Sequence, residues 1–369
     1  RIDSSDGLKM SAHKKRVLIC YTKLAHYRIP IFERLAAYYD LTIVHSGERC
    51  TSADSCFEEI VLPVRRVGRF HYQTGLWSVI RRKRYEAVIF FLDLAWISIV
   101  LSFLFCPGIQ RRITWGLWRT GRRIPNLVRL CSALYAHANV FYSVGAAQEF
   151  LTLGVPNNKI YVARNTVKVE SPYRREGGCR NTLLFVGSFD RRKRNDVAIT
   201  AFSDIVNLIP SQIKLVFVGD GSDKETARGL ARSRNVSDRI EFHPATTDDQ
   251  TLRLFYSNAI ASFSFGQAGL SVLQSLGHGV PFITCRKAVS GGEIENIRHN
   301  YNGILCDNDI EGLKTAFVKV CTDCDFVSQL GLNAKEHYQK YCDEYNMVNG
   351  FRSAIEGIPQ QLPSSVWEE

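Results

Sequence analysis

Short apolar runs alternate along the chain with longer segments whose apolar residues recur every three or four positions. In the first half the runs are RVLICYT (16–22), LTIVHSG (41–47), AVIFF (87–91), RITWGL (112–117), VFYSVG (140–145) and IYVARN (160–165), with helical patterns such as IPIFERLAAYY between them. A polar stretch with paired glycines, VKVESPYRREGGCRN (167–181), interrupts the series, which then restarts with TLLFVGS, IKLVFVGDG, IEFHPA, AIASFSF, PFITC and NGILCD. Continuous apolar runs of this length read as strands buried on both faces, and their alternation with helices predicts parallel sheets covered by helices. The expected organisation is two doubly wound α/β domains, 13–168 and 169–340, followed by a helical tail, 341–369, that returns towards the first domain. Ligands of such folds sit beyond the carboxyl ends of the strands. The expected site is therefore a cleft between two facing sheets.

Composition agrees with two real cores, since the 369 residues are 45% hydrophobic and 22% charged, well outside the disordered class. The net charge of +11 and the pI near 9.1 point to an anionic partner. The charge is concentrated. Between Arg65 and Arg129 lie Arg65, Arg66, Arg69, Arg81, Arg82, Lys83, Arg84, Arg111, Arg112, Arg119, Arg122, Arg123 and Arg129, opposed only by Glu86 and Asp93. Any one cluster reads as a solvated face, whereas the whole stretch reads as a patch for a polyanion or a membrane surface. A nucleic-acid partner has no motif to support it and is not expected.

The run AVIFFLDLAWISIVLSFLFC (87–106) has the length of a membrane span. Asp93 interrupts it, so a buried strand (87–91) followed by an apolar helix is the expected form, and a helix that packs at or dips into a membrane face stays open as the alternative. Eleven scattered cysteines without a signal peptide read as reduced cytosolic thiols. Cys321 and Cys324 form a single C-x-x-C, expected to lie on one helix face and not at a zinc. The residues before Met10 read as a cloning scar and are set aside.

The chemistry is carried by glycine-rich strand ends in the second half. LLFVGSFDRRKRND (183–196) ends a strand at Gly187 and continues into four consecutive basic residues. VFVGDGSD ends another strand at Gly219 and Gly221. FGQAGLSVLQSLGHGVPFIT (265–284) turns through Gly266 and Gly269 into a helix, whose unpaired N–H groups suit a diphosphate. SGGEIENIRHNYNGILCD (290–307) supplies a Gly-Gly turn with Glu293 and Glu295. In the first half, TKLAHYRIP (22–30) places His26 and Arg28 just past the first strand, where Arg28 is a candidate phosphate contact. Asp307 and Asp309 in CDND mimic a metal-binding Asp-x-Asp, but their place after an apolar strand reads as a turn, and no metal is expected.

In this order the motifs resemble the nucleotide-sugar half of a retaining GT-B glycosyltransferase, most closely family four, the group 1 transferases. The resemblance is strong over 183–305. Over 16–166 it is softer and points to bacterial surface-polysaccharide enzymes. It implies a GT-B fold of two Rossmann-like domains facing across a cleft. It also implies a UDP- or GDP-linked sugar donor, no required cofactor or metal, and retention at the transferred carbon. The expected partners are a lipid-linked oligosaccharide acceptor and an anionic membrane surface. The expected location is cytoplasmic, on the inner face of the cytoplasmic membrane.

Carried over residue by residue, Lys193 matches the family's diphosphate-binding Lys. Ser188 stands where the family has Arg, a loss that Arg191, Arg192 or Arg194 offsets. Gly187 and Gly219 are the strand-end glycines that border the donor. Gly269, Leu270 and Ser271 match the residues whose amides meet the diphosphate. The family's two donor-site glutamates fall at Gly266 and Gln274, leaving Gln274 as a neutral ribose contact. Glu293 is the expected substitute for the missing sugar-facing carboxylate, and Glu295 matches a further family Glu. The acceptor-domain His of many relatives falls at Leu117. A second expectation on the same fold is a catalytically degenerate nucleotide-sugar-binding partner.

Overall fold

A computed structural model describes residues 14–52, 54–169 and 180–363. The polar stretch at 167–181 therefore falls mostly outside the described residues, as does the segment before Met10. The first half contains strands β1 (Arg16–Cys20), β2 (Asp40–His45), β3 (Glu58–Val61), β4 (Val64–Val67), β5 (Phe70–Gln73), β6 (Ala87–Phe91), β7 (Arg112–Trp115), β8 (Ala138–Phe141) and β9 (Ile160–Val162). Its helices are α1 (Ile29–Ala36), α2 (Leu76–Arg82), α3 (Ile97–Phe105), α4 (Arg123–Tyr135) and α5 (Val144–Thr152). One sheet takes the order β3-β2-β1-β6-β7-β8-β9, parallel from β3 to β8. Val17, Leu18, Ile19 and Cys20 of β1 are fully buried, as a strand covered on both faces requires.

The second half contains β10 (Thr182–Val186), β11 (Lys214–Val218), β12 (Ile240–His243), β13 (Ala259–Phe263), β14 (Gln267–Ala268), β15 (Phe282–Cys285), β16 (Val289–Ser290) and β17 (Gly303–Cys306). Its helices are α6 (Asn195–Ile205), α7 (Lys224–Ser233), α8 (Asp249–Asn258), α9 (Leu270–Gly277), α10 (Ile310–Thr322), α11 (Cys324–His337) and α12 (Glu344–Glu356). The main sheet is fully parallel, in the order β12-β11-β10-β13-β15-β17. One side of it buries an aromatic cluster that includes Phe185, Phe189, Phe202, Phe217, Phe263 and Phe317. Each such ring contributes about 1.5–3 kcal/mol by leaving water. Asp248, Asp309 and Asp323 cap α8, α10 and α11, their carboxylates accepting from the N–H of Thr251, Gly312 and Phe326. Such caps are worth about 1 kcal/mol each.

The chain divides into two compact units. The first comprises the residues through Val140 with Ala354–Ile358, and the second comprises Phe141–Ser353 with the residues from Pro359 on. This division differs from the 168/169 boundary expected from the polar stretch, and hydrogen bonds explain why. Asn165 Nδ2 donates to Glu293 at 2.6 Å, Gly145 N to Glu295 at 3.1 Å and Val162 N to Gln360 at 2.7 Å, all inside the second unit. The end of α12 belongs instead to the first unit, where Glu356 meets Lys15 and Tyr39.

Other elements depart from the sequence pattern for local reasons. The run 140–145 is not one strand, because the Ser143 hydroxyl accepts from Ala146 N and starts α5 at Val144. The antiparallel hairpin β4–β5 is absent from the expected elements. Val-Arg-Arg-Val, exposed along its whole length, carries no buried alternation to announce it. Cys321 and Cys324 do not share a helix: Asp323 breaks the chain between α10 and α11, leaving Cys321 buried and Cys324 exposed. Ala87–Phe91 is a buried strand and Ile97–Phe105 a separate helix. Among the described residues no helix is long and apolar enough to cross a membrane.

Helix α4 is turned against the usual rule. Its buried side is Arg129, Ser132 and Ala133, while Ile124 (78% exposed), Leu127, Val128, Leu134 and Tyr135 face solvent. Ile124, Leu127 and Val128 lie one helical turn apart and form a stripe. Ile97, Leu101 and Phe105 form a similar exposed stripe on α3. The two helices meet where the Tyr135 ring stands edge-on to Phe103, 5.6 Å between centroids.

Candidate functional site

In the second unit the polar strand ends are drawn together by backbone. A Cβ on Gly219 would lie 1.8 Å from the Gly187 carbonyl oxygen, so β10 and β11 can end side by side only with glycine there. After Gly187 the chain makes a tight turn, Arg191–Lys193, whose first N–H groups are held by Asp190. The Asp190 carboxylate also accepts from Ser188 Oγ at 2.8 Å and Arg192 Nε at 3.1 Å. Ser188 and Arg192, both predicted donor contacts, are thus engaged with one exposed carboxylate, held below its ordinary pKa chiefly by Arg192. Arg194 lies 3.5 Å from Asp196.

Lys193 is different. It is half-buried and lies along Gly187, its Cε 3.8 Å from where a Cβ would stand. Among the described residues its ammonium has no hydrogen-bonding or ion-pairing partner. Burial lowers its pKa, Asp190 and Glu293 act in the opposite sense, and Arg192 reinforces the lowering. An ammonium drawn out of water without a counter-charge is poised to receive an anion.

The Lys193 carbonyl accepts from Gly266 N at 3.1 Å, and the Gly266 carbonyl accepts from Val289 N at 3.0 Å. The small β14–β16 ladder then lays Gln267 and Ala268 beside Val289 and Ser290. These bonds bring Lys193, the start of α9 and the Gly-Gly loop into one place. At α9 no side chain caps Gly269, and a Cβ there would meet open space. The first N–H groups of the helix therefore face an opening. Ser271 Oγ and Gln267 Oε1 are both buried there without a hydrogen-bond partner. Leu270 and Gln274 are half-buried on the same helix, and no described side chain pairs with that of Gln274. Gln267, which breaks the apolar pattern but falls at a tolerant position between the landmarks of the family resemblance, is an open acceptor beside the glycine turn.

Residues 173–337 match the sequence profile of Glycosyl transferases group 1. The chain carries a group 1 glycosyltransferase domain. Its curated relatives include the N-acetyl-alpha-D-glucosaminyl L-malate synthase of Bacillus anthracis, 26% identical over 51% of this chain and 48% of that one. They also include the lipopolysaccharide 1,6-galactosyltransferase of Escherichia coli K12, 28% identical over 56% of this chain and 59% of that one. The chain spans about half the length of these curated relatives. Among solved structures, Anabaena HepE in complex with UDP and glucose superposes with a TM-score of 0.71 at 13% identity, covering 93% of this chain and all of that one. The fold is GT-B.

Within the group 1 domain the acidic positions are where expectation and structure part. A Cβ on Gly266 would fall 2.2 Å from the Arg192 carbonyl oxygen and 2.6 Å from Arg194 Cγ. The basic turn closes the space in which the family resemblance would place a carboxylate. Glu293, the expected substitute, is buried with its carboxylate already taken. Oε1 accepts from Asn165 at 2.6 Å, and Oε2 from Gly291 N at 2.9 Å and Ser290 Oγ at 3.1 Å. Glu295 accepts from Gly145 N at the start of α5, an acid placed against a helix N-terminus. Both glutamates bind N–H and O–H groups of the protein itself. Asp309 caps α10, as a turn residue does.

In the first unit Arg28 is buried, with its guanidinium 5.1 Å from the Tyr27 ring and 5.4 Å from the Trp115 ring. This is a stacked interior cation, not the open-loop phosphate contact expected from the sequence. Leu117, at the family's His position, is also buried.

Proposed function

We propose that the chain is a retaining, metal-independent glycosyltransferase that takes a sugar from a UDP- or GDP-linked donor and needs no cofactor. The acceptor in this reading is a lipid-linked or membrane-proximal saccharide of cell-surface polysaccharide synthesis. The observation that carries it is the unpartnered, half-buried Lys193 beside the uncapped start of α9. The ammonium and the helix N–H groups together suit a leaving diphosphate, whose charge grows as the glycosidic bond breaks. Gly269, Leu270 and Ser271 offer the backbone contacts, and Gln274 offers the ribose a neutral hydrogen bond.

Support for membrane proximity comes from the exposed apolar stripes on α3 and α4 with the arginines around them. Apolar insertion and attraction to anionic headgroups reinforce each other. We place the protein on the inner face of the cytoplasmic membrane on this ground. The test is a thermal-shift series with UDP and GDP on the wild type and on Lys193→Met. One nucleotide stabilises the wild type by about 2.7 kcal/mol at a hundred times its dissociation constant, and the variant loses that gain. No shift with either nucleotide overturns the reading.

One observation favours the degenerate-partner reading: among the described residues a side chain at Gly266 is walled off and the carboxylate of Glu293, the expected substitute acid, is already bonded to Asn165. Incubating the protein with donor sugars that produce a thermal shift separates the two readings, because a binding partner releases no nucleoside diphosphate, with or without acceptor.

A further inference from the structure

The first unit holds a second cation without a counter-charge. Arg129 on α4 is only 6% exposed, and its Nε and Nη1 have no hydrogen-bond partner. Among the described residues no carboxylate forms an ion pair with it. Asp93 is the one acid whose charge it feels, against a burial penalty that lowers its pKa. The Asp93 carboxylate is itself occupied at 2.9 Å by Ala95 N. Ser132, one turn along the helix, donates its hydroxyl to the Val128 carbonyl and is not turned to Arg129. What covers the guanidinium is the Trp118 ring, 5.1 Å away.

The surroundings are built, not loose. Asn126 in the first turn of α4 accepts from Thr120 N at 2.9 Å and donates to the Thr120 carbonyl at 2.6 Å. These two bonds fasten the loop after β7 to α4 and hold Trp118 over Arg129. Asp93 follows β6 and Trp118 follows β7, and these strands are neighbours. The group thus lies past the carboxyl edge of the sheet, where open α/β sheets bind ligands. Arg119, Arg122 and Arg123 are exposed on the same loop and helix start.

Burying a guanidinium without a counter-charge is costly, and a single cation–π contact does not offset it. The fold keeps the group regardless, which a ligand anion explains. We propose that Arg129 is the floor of a phosphoryl-binding site in the first unit, with the Trp118 ring as one wall and Arg119, Arg122 and Arg123 at the rim. Several fixed positive charges suit a phosphoryl group better than a singly charged carboxylate, and a planar fork binds two of its oxygens at once. Assigning that phosphoryl group to the sugar acceptor rests on the transferase reading; the site itself does not.

The probe is inorganic pyrophosphate, titrated against the full chain carrying Lys193→Met so that the second unit contributes no diphosphate site. In this background we compare Arg129, Arg129→Met, Arg129→Lys and the rim control Arg123→Met by calorimetry and thermal melting. The expected result is saturable pyrophosphate binding that falls on the order of tenfold or more in Arg129→Met and less in Arg129→Lys and Arg123→Met. Without probe, Arg129→Met melts higher than its parent, because an unpaired buried charge has been removed. Equal pyrophosphate binding by Arg129→Met and its parent overturns the proposal. So does a lower melting temperature in Arg129→Met with binding kept, the signature of a purely structural arginine. Flotation with phosphatidic-acid vesicles locates the source. Vesicle binding lost in Arg129→Met assigns a lipid-borne phosphoryl group, and vesicle binding kept while pyrophosphate binding is lost assigns a soluble one. The UDP shift of the wild type is read separately, so a failed donor reading and a failed Arg129 site give different results.

Discussion

The two units treat charge in opposite ways. In the second, every conspicuous carboxylate of the Gly-Gly loop is spent on the protein's own N–H and O–H groups, and one ammonium, Lys193, is left over. In the first, the arginines far outnumber the acids between Arg65 and Arg129, one of them is buried without a partner, and a helix shows its apolar side to water. The second unit leaves open space at the start of α9. The first is unfinished over a broad face. A nucleotide is a small ligand with fixed geometry and suits an uncapped helix start. A large or lipid-borne acceptor suits the broad face.

The contrast breaks most sharply at Lys193. Replacing it with Met removes an ammonium that has no ion-pair partner among the described residues, and on the proposed reading is expected to lower transfer by about a hundred- to a thousandfold, in line with the loss of a charge-stabilising donor. Steady-state assays of nucleoside-diphosphate release measure this. Retention of near-wild-type rates would move the diphosphate site elsewhere.

Gly266→Glu is the next largest. The side chain it adds must displace the Arg192 backbone, so overpacking costs about 1–3 kcal/mol, read as a lower denaturation midpoint. No gain in transfer accompanies it. A stable variant with faster turnover would show that the turn yields and that the missing acid limits the rate.

Glu293→Gln sharpens the division between structural and donor-facing acids. A carboxylate that accepts three hydrogen bonds becomes an amide that clashes with one of its donors, at about 1–3 kcal/mol of stability. Turnover per folded molecule stays within about threefold, the margin expected of a group that does not face the donor. A hundredfold fall in turnover with unchanged stability would return Glu293 to the sugar.

On the first unit, Leu127→Glu on α4 leaves folding intact and weakens binding to anionic vesicles by about tenfold, as loss of one inserted apolar side chain predicts. Sedimentation with vesicles measures it, and unchanged binding would place the membrane contact elsewhere.

The smallest effect is in pH. Burial, with Arg253 adding to it, lowers the pKa of His278 to about 4 from 6.5. The unfolded chain therefore takes up this proton first as pH falls. Stability contributed by the neutral ring is complete above pH 6.5 and is lost progressively down to about pH 4. His278→Phe removes this part of the slope in a pH series of urea melts.

Sequence patterning reached the parallel sheets and the glycine-rich strand ends because both follow from local constraints. An apolar run with no polar face has to be a covered strand, and glycine packed on a neighbouring backbone leaves a visible mark. The partnering of charges was not legible. Glu293 and Lys193 are both charged residues near glycines, and nothing in their neighbours' identity says that Asn165 satisfies one while the other stays unpaired. The same limit hid Arg129, one arginine among many until its burial set it apart. The boundary before Phe141 was hidden too, because it depends on long-range hydrogen bonds from 145, 162 and 165.

The contact at Gly266 has a bearing on descent. A family acid replaced by glycine is ordinarily one substitution from return. Here Arg194 holds a left-handed backbone (φ 55°), and the Arg192 carbonyl oxygen occupies the volume that a side chain at 266 would need. Reversion at 266 alone meets a steric wall, so the way back needs the turn to move first. A sequence that carries an acid at this position should also carry a different 191–194 turn.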